Sequence, residues 1–383
     1  MYSVYQHWDP LKVCLVGRSY SPEFYKFITN TQVRNVLERI AQETEEDFQK
    51  LIKLLESFEV KVWRPDLTDN YTDYLDKDGK IKPPPMTPRD YSAMIGSTFY
   101  VNGRNVNLQQ QWDRWKGSSW PDTPPDSVDQ FQALPDQFQK ELLSLDKNFL
   151  EIFLEKMPWV NIVGKIKSTN PVIENQNINS AEITRVGRDL YFGTHRDIRE
   201  PGEQNVLRIK YSTMFPDYRC HVINTAGHAD GTYCPVKPGL IVSLKDIPTY
   251  AKTFPGWEVV YLPGQSWEKV RPFLQLKEKN RGKWWVPGEE LNNDFTDFVE
   301  SWLSHWVGYV EETVFDVNML VIDEHNVVCN NYNKQVFAAF ERHGVTPHIV
   351  NFRHRYFWDG GLHCITSDIH REGSIKDYFP ERA

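Results

Sequence analysis

The chain has 383 residues, 40% of them hydrophobic and 25% charged, an ordinary balance for a protein with a sizeable buried core. A formal net charge of -8 excludes a general nucleic-acid binder, because phosphate contacts need a basic surface. No window approaches the roughly 18 consecutive apolar residues of a membrane span, so a membrane is not an expected partner either.

Five cysteines, Cys14, Cys220, Cys234, Cys329 and Cys364, form an odd and scattered set that implies no disulfide framework. The chain opens on Met1-Tyr2-Ser3-Val4-Tyr5 without a basic stretch and apolar run, and a cytoplasmic location is the expectation. Aromatic residues are abundant at 14%, including 13 Trp, which favours extensive packing and a deep pocket.

Leu11 to Gly17 reads as a first strand. Residues 31 to 58 follow with apolar positions at Val33, Val36, Leu37, Ile40, Phe48, Leu51, Ile52, Leu54 and Leu55, the spacing of a long amphipathic helix. Val60 to Trp63 is a strand ended by Pro65. Pro83-Pro84-Pro85 must be extended or loop, since successive prolines join neither ladder nor helix interior. Ser97 to Val101 is a strand, and Asn102-Gly103 a turn. Residues 104 to 135 read as an insertion, and Phe138 to Met157 as a helix.

Short strands are expected at Trp159–Val163, Asp189–Phe192, Cys220–Ile223, Gly239–Ser243 and Glu258–Leu262, with a helix near 203 to 215. Residues 265 to 292 fit no element. Met319–Ile322 and Val327–Cys329 make a hairpin, followed by a helix over 333 to 343 and a strand from Thr346 to Val350. Strand, turn, strand, helix, strand is thus the order of the last unit, and partial copies occur earlier. No low-complexity linker divides residues 1 to 383, so one domain is expected.

The chemistry-bearing residues sit in short polar stretches. Asp359-Gly360-Gly361-Leu362-His363-Cys364 presents a thiol on a glycine-rich turn, suited to a nucleophile. The residues after it, Ile365-Thr366-Ser367-Asp368, do not read as a core strand. His228-Ala229-Asp230-Gly231 follows a strand and combines an imidazole with a carboxylate, as acid–base work beside charge recognition requires. Cys220, His221, His228, Asp230 and Cys234 also crowd together, yet their spacing matches none of the usual zinc patterns. Asn179, within Asn175 to Glu182, can bond a histidine, and Asp90 follows Thr87-Pro88-Arg89.

Together "WDPLKVCLVGRS", "TPRD", "RVGRDLYF", "GHADGT", "NMLVIDEHNVV" and "GGLHCITSDIHREG" resemble the amidinotransferases of the glycine and inosamine-phosphate type. The matches run in order from residue 7 to about 374. The resemblance implies an α/β propeller of five pseudo-symmetric ββαβ-like units around a central active site, and it allows a homodimer. It makes Cys364 the nucleophile, His228 the acid–base residue, and Asp90 and Asp230 the carboxylates that hold a guanidinium. It implies transfer of an amidino group from an L-arginine-like donor to an amine such as glycine, both small molecules, with neither a metal nor an organic cofactor.

The chain departs from the family in two places. Where the family has an aspartate that orients the catalytic histidine, this chain has Asn179, which can fix a tautomer but cannot stabilise an imidazolium by charge. Acidic Glu311-Glu312, and the stretch Lys245-Asp246-Ile247, stand where the glycine enzymes handle substrate carboxylates, which points to an acceptor carrying positive charge. Three other readings stay open: a guanidino hydrolase of the arginine deiminase kind, a silent binding protein on the same scaffold, and a zinc-binding module.

Overall fold

A computed structural model describes residues 1–75, 81–101, 160–174, 180–194, 201–225, 227–244, 247–262, 284–303, 317–358 and 360–382. Among them, fifteen strands form five three-stranded sheets of one design. Each has a central strand with an antiparallel neighbour on one side and a parallel neighbour on the other. A parallel neighbour needs a crossover connection, and helices supply it.

In the first sheet β1 (Leu11–Val16) runs parallel to β2 (Lys61–Trp63). The helix Thr31–Ser57 lies between them in sequence. Asn30 starts this helix by accepting from the N–H groups of Gln32 and Val33. Its expected apolar positions, from Val33 to Leu55, are its buried face, except Leu54, which is half-buried at the edge of that face.

The second sheet pairs β3 (Ser92–Ile95) with β4 (Thr98–Val101) through a turn at Gly96, and β5 (Val172–Glu174) lies parallel to β4. Before β5 the chain forms the helix Val160–Lys167. A strand was expected over 159 to 163, because Val160, Ile162 and Val163 are β-branched. Ile162, Val163 and Ile166 instead share one helical face, buried beside Met94 and Phe99. Burial of that face overrides local propensity.

In the third sheet β6 (Ile183–Val186) and β7 (Asp189–Gly193) form a hairpin, and β8 (Arg219–Ile223) returns parallel to β7 after the helix Pro201–Met214. Its turn depends on Gly187, at φ 64° and with the Lys376 carbonyl oxygen 2.0 Å from where a Cβ would stand. The strand β6 is not legible in the sequence, since Arg185 sits inside it. The fourth sheet combines β9 (Tyr233–Lys237), β10 (Leu240–Ser243) and β11 (Glu258–Tyr261). The fifth combines β12 (Leu320–Asp323), β13 (Asn326–Cys329) and β14 (Thr346–Ile349), with the helix Lys334–His343 as crossover.

The last strand, β15 (Thr366–Arg371), closes the architecture by pairing antiparallel with β1, where Cys14 faces Asp368 and Val16 faces Thr366. The first sheet is therefore built from both ends of the chain. This corrects the reading of Ile365 to Asp368 as lying outside the core: Thr366, Ser367 and Asp368 are all 0% exposed. The polar letters mislead because Asp368 is neutralised inside the protein. It accepts from Arg89 at 2.7 Å, from Arg185 at 2.7 and 2.8 Å, and from Arg371 at 2.7 Å. The fold is a five-bladed α/β propeller, as the resemblance implies.

The expected insertion at 104 to 135, the helix at 138 to 157 and the turn at Asn102-Gly103 lie outside the described residues. Of the unassigned segment 265 to 292, the described part begins at Trp284, which is buried against Phe295 and Phe357.

Candidate active site

The glycine-rich turn before β15 brings Cys364 against three other parts of the chain. Gly360 and Gly361 permit this approach. A Cβ on Gly360 would lie 2.8 Å from Thr87 Cγ2, and one on Gly361 would lie 2.6 Å from Asn318 Oδ1 and 2.8 Å from Asn318 Cβ. The turn thus fits between the Thr87 segment and Asn318, just before β12, only because neither residue has a side chain.

Cys364 is buried, at 7% exposure. Its Sγ donates to Asp230 Oδ2 at 3.2 Å. Asp230 sits in the loop between β8 and β9, and its Oδ2 also lies 2.8 Å from His363 Nδ1. Asp230 Oδ1 is buried and has no hydrogen-bond partner among the described residues. Burial pushes the Asp230 carboxyl up, but the His363 bond, and the charges of His363 and His228, hold it below its ordinary value. Burial pushes the His363 imidazole down to about 4, so at neutral pH it is an uncharged donor to a carboxylate.

Asp90 sits on the short helix Pro88–Tyr91, close enough for its charge to act on the Cys364 thiol. The Arg89 N–H of that helix lies 3.4 Å from the Cys364 carbonyl oxygen, and Arg89 Nε donates to the carbonyls of His363 and Thr366 at 3.3 and 3.0 Å. The Arg89 guanidinium therefore joins three carbonyl and carboxylate groups around the cysteine turn. The Cys364 thiol is pushed well above its ordinary value, first by burial and then by the negative charges of Asp230 and Asp90.

The structure thus gathers Cys364, Asp230 and Asp90, and places His228 where its charge is felt by Asp230. His228 stands in a half-buried loop tied to the third sheet, with Gly227 N–H bonded to the Thr194 carbonyl at 2.9 Å and Ala229 N–H to the Ala181 carbonyl at 3.1 Å. Asn179, Lys245, Asp246, Glu311 and Glu312 lie outside the described residues. His363, Asn318 and Arg89 were not singled out from the sequence. His363 stood inside the cysteine motif, Arg89 inside TPRD and Asn318 at the head of NMLVIDEHNVV, but no local feature gave the last two a role.

The cluster that raised the zinc reading is dispersed. His221 Nε2 meets Asp189 at 2.6 Å, Cys220 packs with Phe192 and Phe215, and Cys234 packs with Tyr233 and Val236. Among the described residues, no group of histidine, cysteine and carboxylate side chains is arranged to hold a metal ion.

No protein-family model matches the chain. It is 22% identical to the mitochondrial glycine amidinotransferase of Xenopus tropicalis over 410 residues, covering 98% of this chain and 84% of that protein. It is 21% identical to a putative inosamine-phosphate amidinotransferase of Streptomyces griseus over 415 residues, covering 98% of each. The chain is a relative of the amidinotransferases. Its fold agrees with theirs: the inosamine-phosphate amidinotransferase StrB1 of Streptomyces griseus superposes with a TM-score of 0.58 at 17% identity, covering 99% of each chain. SxtG, an amidinotransferase of Microseira wollei, superposes with a TM-score of 0.57 at 15% identity, again covering 99% of each. The likeness to amidinotransferases marks the chain as an enzyme of their transferase class.

Proposed function

We propose that this protein transfers an amidino group from L-arginine, or a similar guanidino donor, to an amine such as glycine through a covalent amidino-cysteine on Cys364. The observation that carries this reading is the Cys364–Asp230 contact at 3.2 Å beside a buried Asp230 oxygen with no donor among the described residues. A guanidinium offers planar N–H donors and a positive charge to such a carboxylate, with its carbon held near the sulfur. Asp90 supplies the second carboxylate.

The raised thiol pKa fits this scheme. The charges of Asp230 and Asp90 disfavour a thiolate until a guanidinium offsets them, so the bound donor activates its own nucleophile. The thiol proton passes to His228, and the thiolate attacks the guanidino carbon. The bond from that carbon to the departing amine breaks as His228 returns the proton to the amine. The acceptor amine then attacks the amidino carbon and loses a proton to His228. Cys364 leaves as thiolate and is reprotonated.

The last strand completes the first sheet, which supports treating residues 1–383 as one domain. All five cysteines are free thiols, which supports a reducing compartment such as the cytoplasm. Among the described residues no helix is long and apolar enough to cross a membrane.

The test is intact-protein mass spectrometry after brief incubation with L-arginine and no acceptor. A mass gain of one amidino group, absent in Cys364→Ala, is the expected result, and discharge by individual amines would name the acceptor. Citrulline and ammonia in place of a transferable adduct would instead establish a hydrolase. Absence of both adduct and product over a panel of guanidino donors would refute the reading.

A further inference from the structure

Asn318 is 1% exposed, and its amide is engaged on both sides. Oδ1 accepts from the backbone N–H of His363 at 2.8 Å and of Cys364 at 3.1 Å. Two N–H donors can face only the oxygen, so the orientation of the amide is fixed. Nδ2 consequently points at Cys364 Sγ, at 2.9 Å, and at the Asp230 carbonyl oxygen, at 3.4 Å. The close approach requires Gly361, whose missing side chain would otherwise collide with Asn318.

The other two side chains acting strongly on this sulfur are the carboxylates of Asp230 and Asp90, and both favour the protonated thiol. Asn318 works against them. Its amide N–H cannot accept a proton from the thiol, so it gains strength as a bond only when the sulfur becomes negative.

Resting on the reading of Cys364 as nucleophile, we propose that Asn318 is a further catalytic residue: Nδ2–H stabilises the Cys364 thiolate, while Oδ1 fixes the turn that aims the sulfur. The thiolate forms when the proton leaves for His228 and forms again when the acceptor expels Cys364. One donor therefore serves both halves of the reaction. Its neutrality matters, since a lysine or arginine in its place would repel the guanidinium of the donor.

The test uses the full-length enzyme without substrate, following alkylation of Cys364 by iodoacetamide against pH and locating the label by peptide mass. Asn318→Asp keeps an oxygen for both backbone donors and loses the donor to sulfur. Asn318→Leu is neutral and separates the lost donor from the added charge. In each folded variant the alkylation midpoint is expected to rise by about one to two pH units. Adduct formation with L-arginine at pH 8 falls accordingly, by about ten-fold or more. A midpoint that stays at the wild-type value in either folded variant overturns the proposal. Because alkylation needs no guanidino donor, a wild type that forms no amidino adduct would refute the function while this readout still tested the donation from Asn318.

Discussion

Arg89 Nη1 meets Asp368 Oδ1 at 2.7 Å, with both side chains buried, and this pair ties the helix carrying Asp90 to the strand that closes the propeller. Three guanidinium groups surround one carboxylate. Burial and the neighbouring arginines accordingly leave Arg185 at about 10 in spite of its bond to Asp368, while the arginines hold Asp368 well below its ordinary value against the opposing effect of burial. Removing the carboxylate leaves three buried cations facing one another. Asp368→Ala is expected to cost about 3–5 kcal/mol, the range for breaking a buried pair, and to lower the midpoint of the urea transition accordingly. A midpoint within experimental error of wild type would show the cations to be solvated instead.

The cysteine turn offers a prediction that separates chemistry from stability. Gly361→Ala drives a Cβ to 2.8 Å from Asn318 Cβ, next to the backbone, where no flexible side chain can yield. We expect about 1–3 kcal/mol of destabilisation and at least a ten-fold loss of amidino-adduct formation. Gly164→Ala is the contrast, since nothing lies within 4 Å of that position on the helix Val160–Lys167. It should stabilise the fold by about 0.5–1 kcal/mol and leave the adduct unchanged. Paired thermal melts and adduct yields read both.

Stability should also fall with acidification. His363, at about 4, and His7, well below its ordinary value, bind protons more weakly when folded than when unfolded. The unfolded chain therefore takes up more protons between about pH 6.5 and 4, and stability drops as pH falls through that window. The lowered Asp230 carboxyl adds a loss of the same sign at still lower pH. For His363 alone the window is worth about 3 kcal/mol. In His363→Asn the slope of unfolding free energy against pH should be visibly flatter. An unchanged slope from pH 7 to 4.5 would mean that His363 is protonated in the fold.

In the proposed mechanism Asn179 takes the place of the aspartate that the resemblance to amidinotransferases puts beside the catalytic histidine. A carboxylate there would stabilise the His228 imidazolium, so Asn179→Asp should move the acid limb of the pH–rate curve to higher pH by about one unit. Superimposable acid limbs for wild type and variant would refute a role for this position in tuning His228.

Periodicity and motif order determined a good deal. The helix over Thr31–Ser57, the hairpin before the helix Lys334–His343 and the order of the last unit were all legible, because apolar spacing and turn residues are local properties. The short stretches that resemble the amidinotransferases also supplied Cys364, His228, Asp90 and Asp230 as site candidates, and their roles are the proposal made above. The contacts that were not legible join residues far apart in the chain. Ile365 to Asp368 reads as polar because its neutralising arginines come from residues 89, 185 and 371, the first on the helix Pro88–Tyr91 and the second in the third sheet. The same holds for β6, where Arg185 hides a strand. Asn318 heads the stretch NMLVIDEHNVV, yet nothing local gives it a role, since its amide acquires meaning only when Gly361 lets the cysteine turn close on it from 43 positions away in sequence. A sequence displays which residues can bury apolar area or turn a chain. Which polar groups will share one buried point depends on how the sheets close around it.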